Sequence, residues 1–242
     1  DRTTMLTIVL LPGMDGTASL FAPFVAALGG RYSVKHIVYP GGQALGYAEL
    51  ESLARKALPT RGRYVLLGES FSGPIAVAIA ASQPRGLVGL VLCATFVRNP
   101  YPVFGPLTPL FGRLTGVLPV KAAPEFAMRH LLLGHFATQH LITSLRRALA
   151  QVSAPVLQAR VRAVMTVDVS AQLAAVRVPV LYLQAQHDRV VPHNAAKTIV
   201  KSLPSVQVVQ LDAPHLLLQA VPNAAAQAVH AFLHPLQTRP SR

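Results

Sequence analysis

The sequence predicts an α/β fold, with a mostly parallel twisted sheet and helices on both of its faces. Short apolar runs rich in β-branched residues alternate with longer helical patterns, as in repeated βαβ units. The length of 242 residues suits one α/β domain with an insertion. An apolar content of 52% and a charged content of 13% exclude a chain that is generally disordered.

Six strands are predicted from the apolar runs, at Leu6–Leu11, Ser33–Val38, Tyr64–Leu67, Leu87–Cys93, Val178–Gln184 and Val206–Leu211. Between them, Tyr47–Leu58 carries apolar residues at helical spacing and ends before Pro59. The segment Ser72–Ser82 is almost wholly apolar, which predicts a helix packed against a buried sheet. A last, Ala-rich helix is predicted over Asn223–Leu233.

The alternation stops between Phe96 and Val176, where proline-rich turns precede helical stretches and no strand pattern appears. We therefore expect a core of residues 1–95 and 177–242, interrupted by a helical insertion at 96–176. The insertion is strongly basic, with Glu125 and Asp168 as its acids. Its basic residues are Arg98, Arg113, Lys121, Arg129, Arg146, Arg147, Arg160 and Arg162.

The formal net charge of +13 combines 22 Lys and Arg with only 9 Asp and Glu, so it results from a shortage of acids. No basic run exceeds a pair, which argues against a nucleic-acid partner. The single cysteine, Cys93, excludes an intrachain disulfide and a Cys-based zinc site, and it favours a cytoplasmic location. The chain begins at Asp1 without Met, which fits a trimmed N-terminus.

The most informative segment, Tyr64–Pro74, predicts a strand, a tight turn of small residues and an apolar helix. A serine on such a turn has a strained backbone and presents its hydroxyl at the carboxyl edge of the sheet. Ser70 holds that position, and Gly68 and Ser72 let the neighbouring backbone approach. Ser72 itself is a weaker candidate nucleophile, because it would fall inside the helix. The alternative is a polar turn without a catalytic role.

These residues resemble the nucleophile elbow, G-x-S-x-G, of the α/β-hydrolase superfamily. The chain departs from the pattern, since Ser72 replaces the second glycine and Gly73 follows it. Serine is small enough for that position. The resemblance implies an α/β-hydrolase fold in which residues 96–176 form a helical cap, and an acyl-enzyme on Ser70.

The superfamily supplies its catalytic residues in the chain order Ser, Asp, His. The loop after the fifth predicted strand then implies Asp188 as the acid, and the loop after the sixth implies His215 as the base. Asp212 is a rival acid, but three residues are a poor separation for facing the histidine. Asp168 is interpreted as a helix or turn charge.

The other histidines are assigned no catalytic role. His187 and His193 are interpreted as solvated loop residues. Steps of five along a helix place His130, His135 and His140 on different faces, so they do not predict a metal site. No cofactor is predicted.

Acyl transfer also needs hydrogen-bond donors for the developing oxyanion. The resemblance implies the backbone amides of Phe71, directly after the nucleophile, and of Met14, in the loop after the first strand. Many relatives carry His-Gly in that loop, where this chain has Pro12-Gly13. Asp15-Gly16 is interpreted as a turn pair, and Glu69 as a structural or tuning residue.

The sequence resembles small capped bacterial serine esterases, including those that remove a methyl ester from a carrier-bound acyl chain. This predicts an esterase for small-molecule esters with apolar acyl groups. A thioesterase or acyltransferase for carrier-bound chains is the alternative, and a non-catalytic ligand-binding relative is an alternative of another class. The basic insertion suggests an acidic acyl carrier protein or an anionic membrane surface as partner. Its apolar residues line an acyl pocket or pack the cap itself; they are Phe104, Leu107, Leu110, Phe111, Leu114, Phe126, Leu131, Leu132, Leu133 and Phe136.

Overall fold

The computed structural model describes residues 5–101 and 125–237. Its sheet has six parallel strands in the order β2-β1-β3-β4-β5-β6. The predicted strands agree with the observed ones to within two residues at each end. The observed strands are β1 (Thr7–Leu11), β2 (Ser33–His36), β3 (Tyr64–Glu69), β4 (Leu87–Cys93), β5 (Val180–Ala185) and β6 (Gln207–Leu211).

The helices are α1 (Ala22–Ala27), α2 (Tyr47–Lys56), α3 (Gly73–Ala81), α4 (Glu125–Met128), α5 (Gln139–Ala150), α6 (Ala154–Thr166), α7 (Ser170–Ala175), α8 (Asn194–Ser202), α9 (Leu217–Ala220) and α10 (Pro222–Gln237). Short 3₁₀ turns lie at Ser19–Phe21, Ser70–Ser72 and Gly134–Phe136, and a π-helical turn lies at Arg129–Leu133. The last helix is longer than the sequence predicted and includes Pro235. Its continuing face buries Phe232 and Leu236, and this packing favours the extra turn.

The core lies on both faces of the sheet, as predicted. Alternate residues of β1 point to opposite sides, so that Val9 belongs to one buried cluster and Ile8 to the other. Ile75 and Val77 of α3 pack in the first cluster, and Phe232 of α10 packs in the second. Every residue of β3 is buried, because helices cover both faces of this central strand.

Parallel strands bring their carboxyl ends to one edge of the sheet, which is where open α/β sheets bind ligands. Ser70 follows β3 directly, Asp188 follows β5, and His215 follows β6. The fold therefore delivers the three predicted catalytic residues to the same edge.

The described part of residues 96–176 is helical and contains α4 to α7, with one isolated bridge between Arg98 and Asp168. The predicted pocket residues Phe104, Leu107, Leu110, Phe111 and Leu114 lie outside the described residues. None of the helices within residues 5–101 and 125–237 has the length and hydropathy to cross a bilayer.

Candidate active site

Ser70 lies on a sharp turn between β3 and α3, with a φ of 47°. This left-handed conformation is strained for a residue other than glycine. The hydroxyl of Thr95 donates a hydrogen bond to the Ser70 carbonyl. A Cβ added to Gly73 would lie 2.0 Å from the Thr95 hydroxyl oxygen, and one added to Gly68 would lie 2.8 Å from Cβ of Ala76. The turn therefore requires glycine at both positions.

Ser72, which replaces the second glycine of the pattern, does more than fit. Its side chain is fully buried, and its hydroxyl donates to the carbonyl of Pro12. The hydroxyl oxygen of Tyr39 lies 2.7 Å from Oγ of Ser72, so Tyr39 can donate a hydrogen bond that Ser72 accepts. Ser72 thus ties the nucleophile turn to the loop after β1.

The three predicted catalytic side chains form a continuous hydrogen-bonded chain. Oγ of Ser70 lies 2.9 Å from Nε2 of His215. On the other side of the ring, Nδ1 of His215 lies 2.9 and 3.0 Å from the carboxylate oxygens of Asp188. A proton on Nδ1 leaves Nε2 free to accept the serine hydroxyl. The side chains of His215 and Asp188 are only 5% and 6% exposed.

The acid loop fixes the direction of Asp188. Its Oδ1 accepts the backbone N–H groups of Val190 and Val191, both at 2.8 Å. The rival Asp212 is exposed, and its carboxylate lies 2.8 Å from Nε2 of His187. The other rival, Asp168, accepts the N–H of Ser170 at 2.9 Å, as a turn residue does.

The segments that carry the two predicted oxyanion donors flank the nucleophile. Phe71 is held by a stacked contact with the Tyr47 ring, whose centroid is 4.7 Å away, and the Tyr47 hydroxyl donates to the Phe71 carbonyl at 3.0 Å. Met14 follows Gly13, at which an added Cβ would lie 4.0 Å from Cβ of Ser70. Gly13 thus brings the start of the loop that carries Met14 next to the nucleophile.

One residue that contacts this loop was not identified as a site residue from the sequence. Arg160 of α6 is 1% exposed. This burial corrects the expectation that Arg160 is one of the basic residues that could contact a partner. Nη1 donates to the Met14 carbonyl at 2.7 Å and Nη2 to that of Pro40 at 3.2 Å. Arg160 follows the buried residues Val156 and Leu157 at helical spacing. This spacing is the sequence signal that Arg160 faces inward.

The backbone leaves room for this guanidinium. Gly16 has a φ of +73°, and an added Cβ there would lie 2.6 Å from Nη1 of Arg160. The guanidinium carbon lies 5.7 Å from the centroid of the Tyr39 ring, a distance that allows a cation–π contact. Arg160 thus connects the loop that carries Met14 to the segment 96–176.

Two carboxyl groups are buried beside the same loop. Glu69 is 4% exposed and accepts Nε2 of Gln219 at 2.9 Å. The pKa of Glu69 is raised to about 7, chiefly by burial; the hydrogen bond from Gln219 lowers it and the neighbouring Asp15 adds to the rise. Burial also raises the pKa of Asp15, although Asp15 accepts the N–H and hydroxyl of Thr17 at 2.8 and 2.6 Å. The latter contacts match the predicted turn.

The buried Glu69 carboxyl predicts a loss of stability as the pH rises. Its folded pKa of about 7 exceeds the ordinary value of 4.5, so between these values the folded protein keeps a proton that the unfolded chain releases. The free energy of unfolding therefore falls through this window, by about 3 kcal/mol for this group. Glu69→Gln, which cannot titrate, should escape that loss. Urea unfolding of both proteins from about pH 4.5 to 8 measures the difference, and parallel profiles would contradict the prediction.

Comparisons with known proteins find hydrolases and esterases among the proteins that this chain resembles. The model of the family described as serine aminopeptidase, S33, matches residues 48–217, a range that contains Ser70, Asp188 and His215. A curated relative, the pimeloyl-[acyl-carrier protein] methyl ester esterase of Nitrosomonas europaea, is 26% identical over 84% of this chain and 85% of its own length.

Solved structures match almost the whole chain. A hydrolase from Pseudomonas aeruginosa has a TM-score of 0.81 at 20% identity, covering 95% of this chain and 90% of that one. An esterase from Thermogutta terrifontis has a TM-score of 0.77 at 22% identity, covering 96% and 91%. An enol-lactonase from Burkholderia xenovorans has a TM-score of 0.74 at 20% identity, covering 97% and 94%. These likenesses confirm the predicted fold.

Proposed function

Because the chain belongs to the serine aminopeptidase S33 family of α/β-hydrolases, we propose that it cleaves carboxylic esters of apolar acyl groups through an acyl-enzyme on Ser70. The predicted enzyme class, a carboxylic ester hydrolase, is confirmed by the family match and the esterase relative. The observation that carries the finer proposal is the hydrogen-bonded chain from Ser70 through His215 to Asp188.

In the first half of the proposed reaction, Nε2 of His215 takes the proton of the Ser70 hydroxyl while Oγ attacks the ester carbonyl carbon. Asp188 stabilises the imidazolium, and the amides of Met14 and Phe71 donate to the oxyanion. The carbon–oxygen bond to the leaving alcohol then breaks, and His215 gives that alcohol its proton. The acyl group remains on Ser70.

In the second half, His215 takes a proton from water as the water oxygen attacks the acyl carbon. The bond to Oγ breaks, the proton returns to Ser70, and the carboxylic acid leaves. The buried positions of His215 and Asp188 support this role, because a low dielectric strengthens the attraction between carboxylate and imidazolium.

We also propose that residues 96–176 cover the site as a cap. Leu132 packs with Leu20, Leu145 and Leu216, and the N–H of Leu216 donates to the Leu132 carbonyl at 3.2 Å. This segment therefore contacts the residue next to His215. Of the other predicted pocket residues, Leu133 is buried, whereas Phe126 and Leu131 are 74% and 46% exposed.

A second candidate substrate is an acyl chain attached to an acidic carrier protein. The curated relative is named for such a substrate, and several basic side chains of the cap are exposed. Complementary charge at this face would speed the encounter with an acidic carrier and would weaken with added salt. The exposed basic residues in the described part of the cap are Arg98, Arg129, Arg146, Arg147 and Arg162.

Substrate choice is tested with p-nitrophenyl esters of increasing chain length, a matching thioester series, and methyl esters of one acyl chain in free and carrier-bound form. We expect esters to be cleaved faster than thioesters, and the longer acyl chains to give higher kcat/KM. If a carrier docks on the cap, kcat/KM for the carrier-bound methyl ester should fall about tenfold or more between low and high salt. The value for the free methyl ester should not fall in this way.

The variant Arg146→Glu should reduce cleavage of the carrier-bound ester and leave cleavage of the free ester unchanged. Equal salt dependence of the cleavage of the two methyl esters would contradict carrier docking. If the protein then binds anionic vesicles, the membrane-surface alternative would be favoured. Faster cleavage of thioesters than of esters would contradict the ester proposal and favour the thioesterase alternative.

A further inference from the structure

Three exposed side chains from separate segments converge beside the loops that hold the acid and the base. His135 lies in the turn Gly134–Phe136, His187 lies in the acid loop, and Asp212 follows β6. One donor atom from each lies within 4.8 Å of the others. We propose that these three residues bind one Zn²⁺ ion, which ties the proposed cap to the two catalytic loops.

The donor set matches the chemistry of this ion. Imidazole nitrogen and carboxylate oxygen are common zinc ligands, with bonds of about 2.0 to 2.2 Å, whereas Mg²⁺ and Ca²⁺ prefer oxygen alone. Nε2 of His187 already lies 2.8 Å from Oδ1 of Asp212, and the rings of His135 and His187 are 5.1 Å apart at their centroids. Because all three residues are exposed, small rotations can close the site and water can fill the remaining position.

The place of the site in the fold gives it a structural consequence. His187 directly precedes Asp188, and its N–H donates to the Ala213 carbonyl at 2.9 Å, so the acid and histidine loops are already joined. His135 belongs to the segment whose Leu132 accepts the N–H of Leu216. An ion shared by all three segments binds the folded protein and not the unfolded chain, and it should therefore stabilise the fold by mass action.

Other histidines in the described ranges provide controls. His130 contacts Arg189, at 2.8 Å between Nε2 and Nη1. His140 is exposed on α5. On α10, His230 and His234 have ring centroids 6.3 Å apart, and this pair is a competing binding position. Substitution of a proposed ligand residue must therefore weaken zinc binding more than His140→Ala or His234→Ala does.

The test uses the full chain without an affinity tag, stripped of metal, near neutral pH and without substrate. Calorimetric titration with ZnCl₂ should show one ion per chain, and the ion should raise the Tm. Zinc binding should weaken at least about tenfold in each of His135→Ala, His187→Ala and Asp212→Ala. Mutation of a residue that only hydrogen-bonds a metal ligand already weakens metal binding by that factor. His140→Ala and His234→Ala should bind as the original chain does, and MgCl₂ should give no comparable signal.

The proposal is wrong if the original chain binds less than one ion, if the three ligand variants bind as tightly as it does, or if binding is lost in His234→Ala alone. Since no substrate is present, these outcomes do not depend on the proposed function. An inactive protein that binds zinc as described would contradict the proposed function and leave the zinc site supported.

Discussion

Ser70→Ala should lower ester turnover by at least about 10⁴-fold without unfolding the protein, and His215→Ala should do the same. The reason is that each variant removes a partner of the 2.9 Å contact between Oγ and Nε2, so no activated nucleophile forms. Asp188→Asn should cost about 10⁴-fold in kcat, because the amide favours the wrong tautomer of His215. Initial rates with a p-nitrophenyl ester, together with circular dichroism of each variant, measure these effects.

Matched controls separate these roles from general damage. Ser205→Ala changes an exposed serine, and Asp168→Asn changes the exposed rival acid within residues 96–176. Both variants should keep the original rate. A fluorophosphonate probe should label the original protein and fail to label Ser70→Ala. Ester hydrolysis by Ser70→Ala would overturn the assignment of the nucleophile. A folded original protein that no probe labels would instead favour the non-catalytic alternative.

Arg160→Leu should have the second largest effect, on both stability and rate. The carbonyls of Met14 and Pro40 lose a charged donor, which should reduce the free energy of unfolding by about 3 kcal/mol. The loop that carries the Met14 amide also loses its contact with α6. We expect kcat to fall about 10²-fold, since one misplaced oxyanion donor costs that much, while KM changes little. Urea unfolding and steady-state kinetics measure the two effects.

Arg162→Leu is the control, because it alters an exposed arginine on the same helix and should shift stability by no more than about 0.5 kcal/mol. Arg160→Lys keeps the charge and should recover part of the rate. If Arg160→Leu is destabilised but retains its kcat, the residue only stabilises the fold and does not position the oxyanion loop.

The sequence by itself determined the strands and the positions of Ser70, Asp188 and His215 after β3, β5 and β6. These features depend on local patterns. The apolar runs define β3 and β5 because strand periodicity is set by neighbouring residues, and the small residues around Ser70 define a sharp turn wherever the chain is placed. Parallel strand order then brings Ser70, Asp188 and His215 to one edge.

Only the tertiary structure decided which of the remaining polar residues belong to the site. The charge count places Arg160 among the basic residues of the insertion, yet it is buried against the Met14 carbonyl. The small size of Ser72 explains how it replaces glycine, yet its hydroxyl also donates to the Pro12 carbonyl. The approach of His135 to His187 and Asp212 has no sequence signal. Periodicity can show which face of a helix turns inward, as it does for Arg160, but it does not encode which distant segments that face contacts once the helices pack over the sheet.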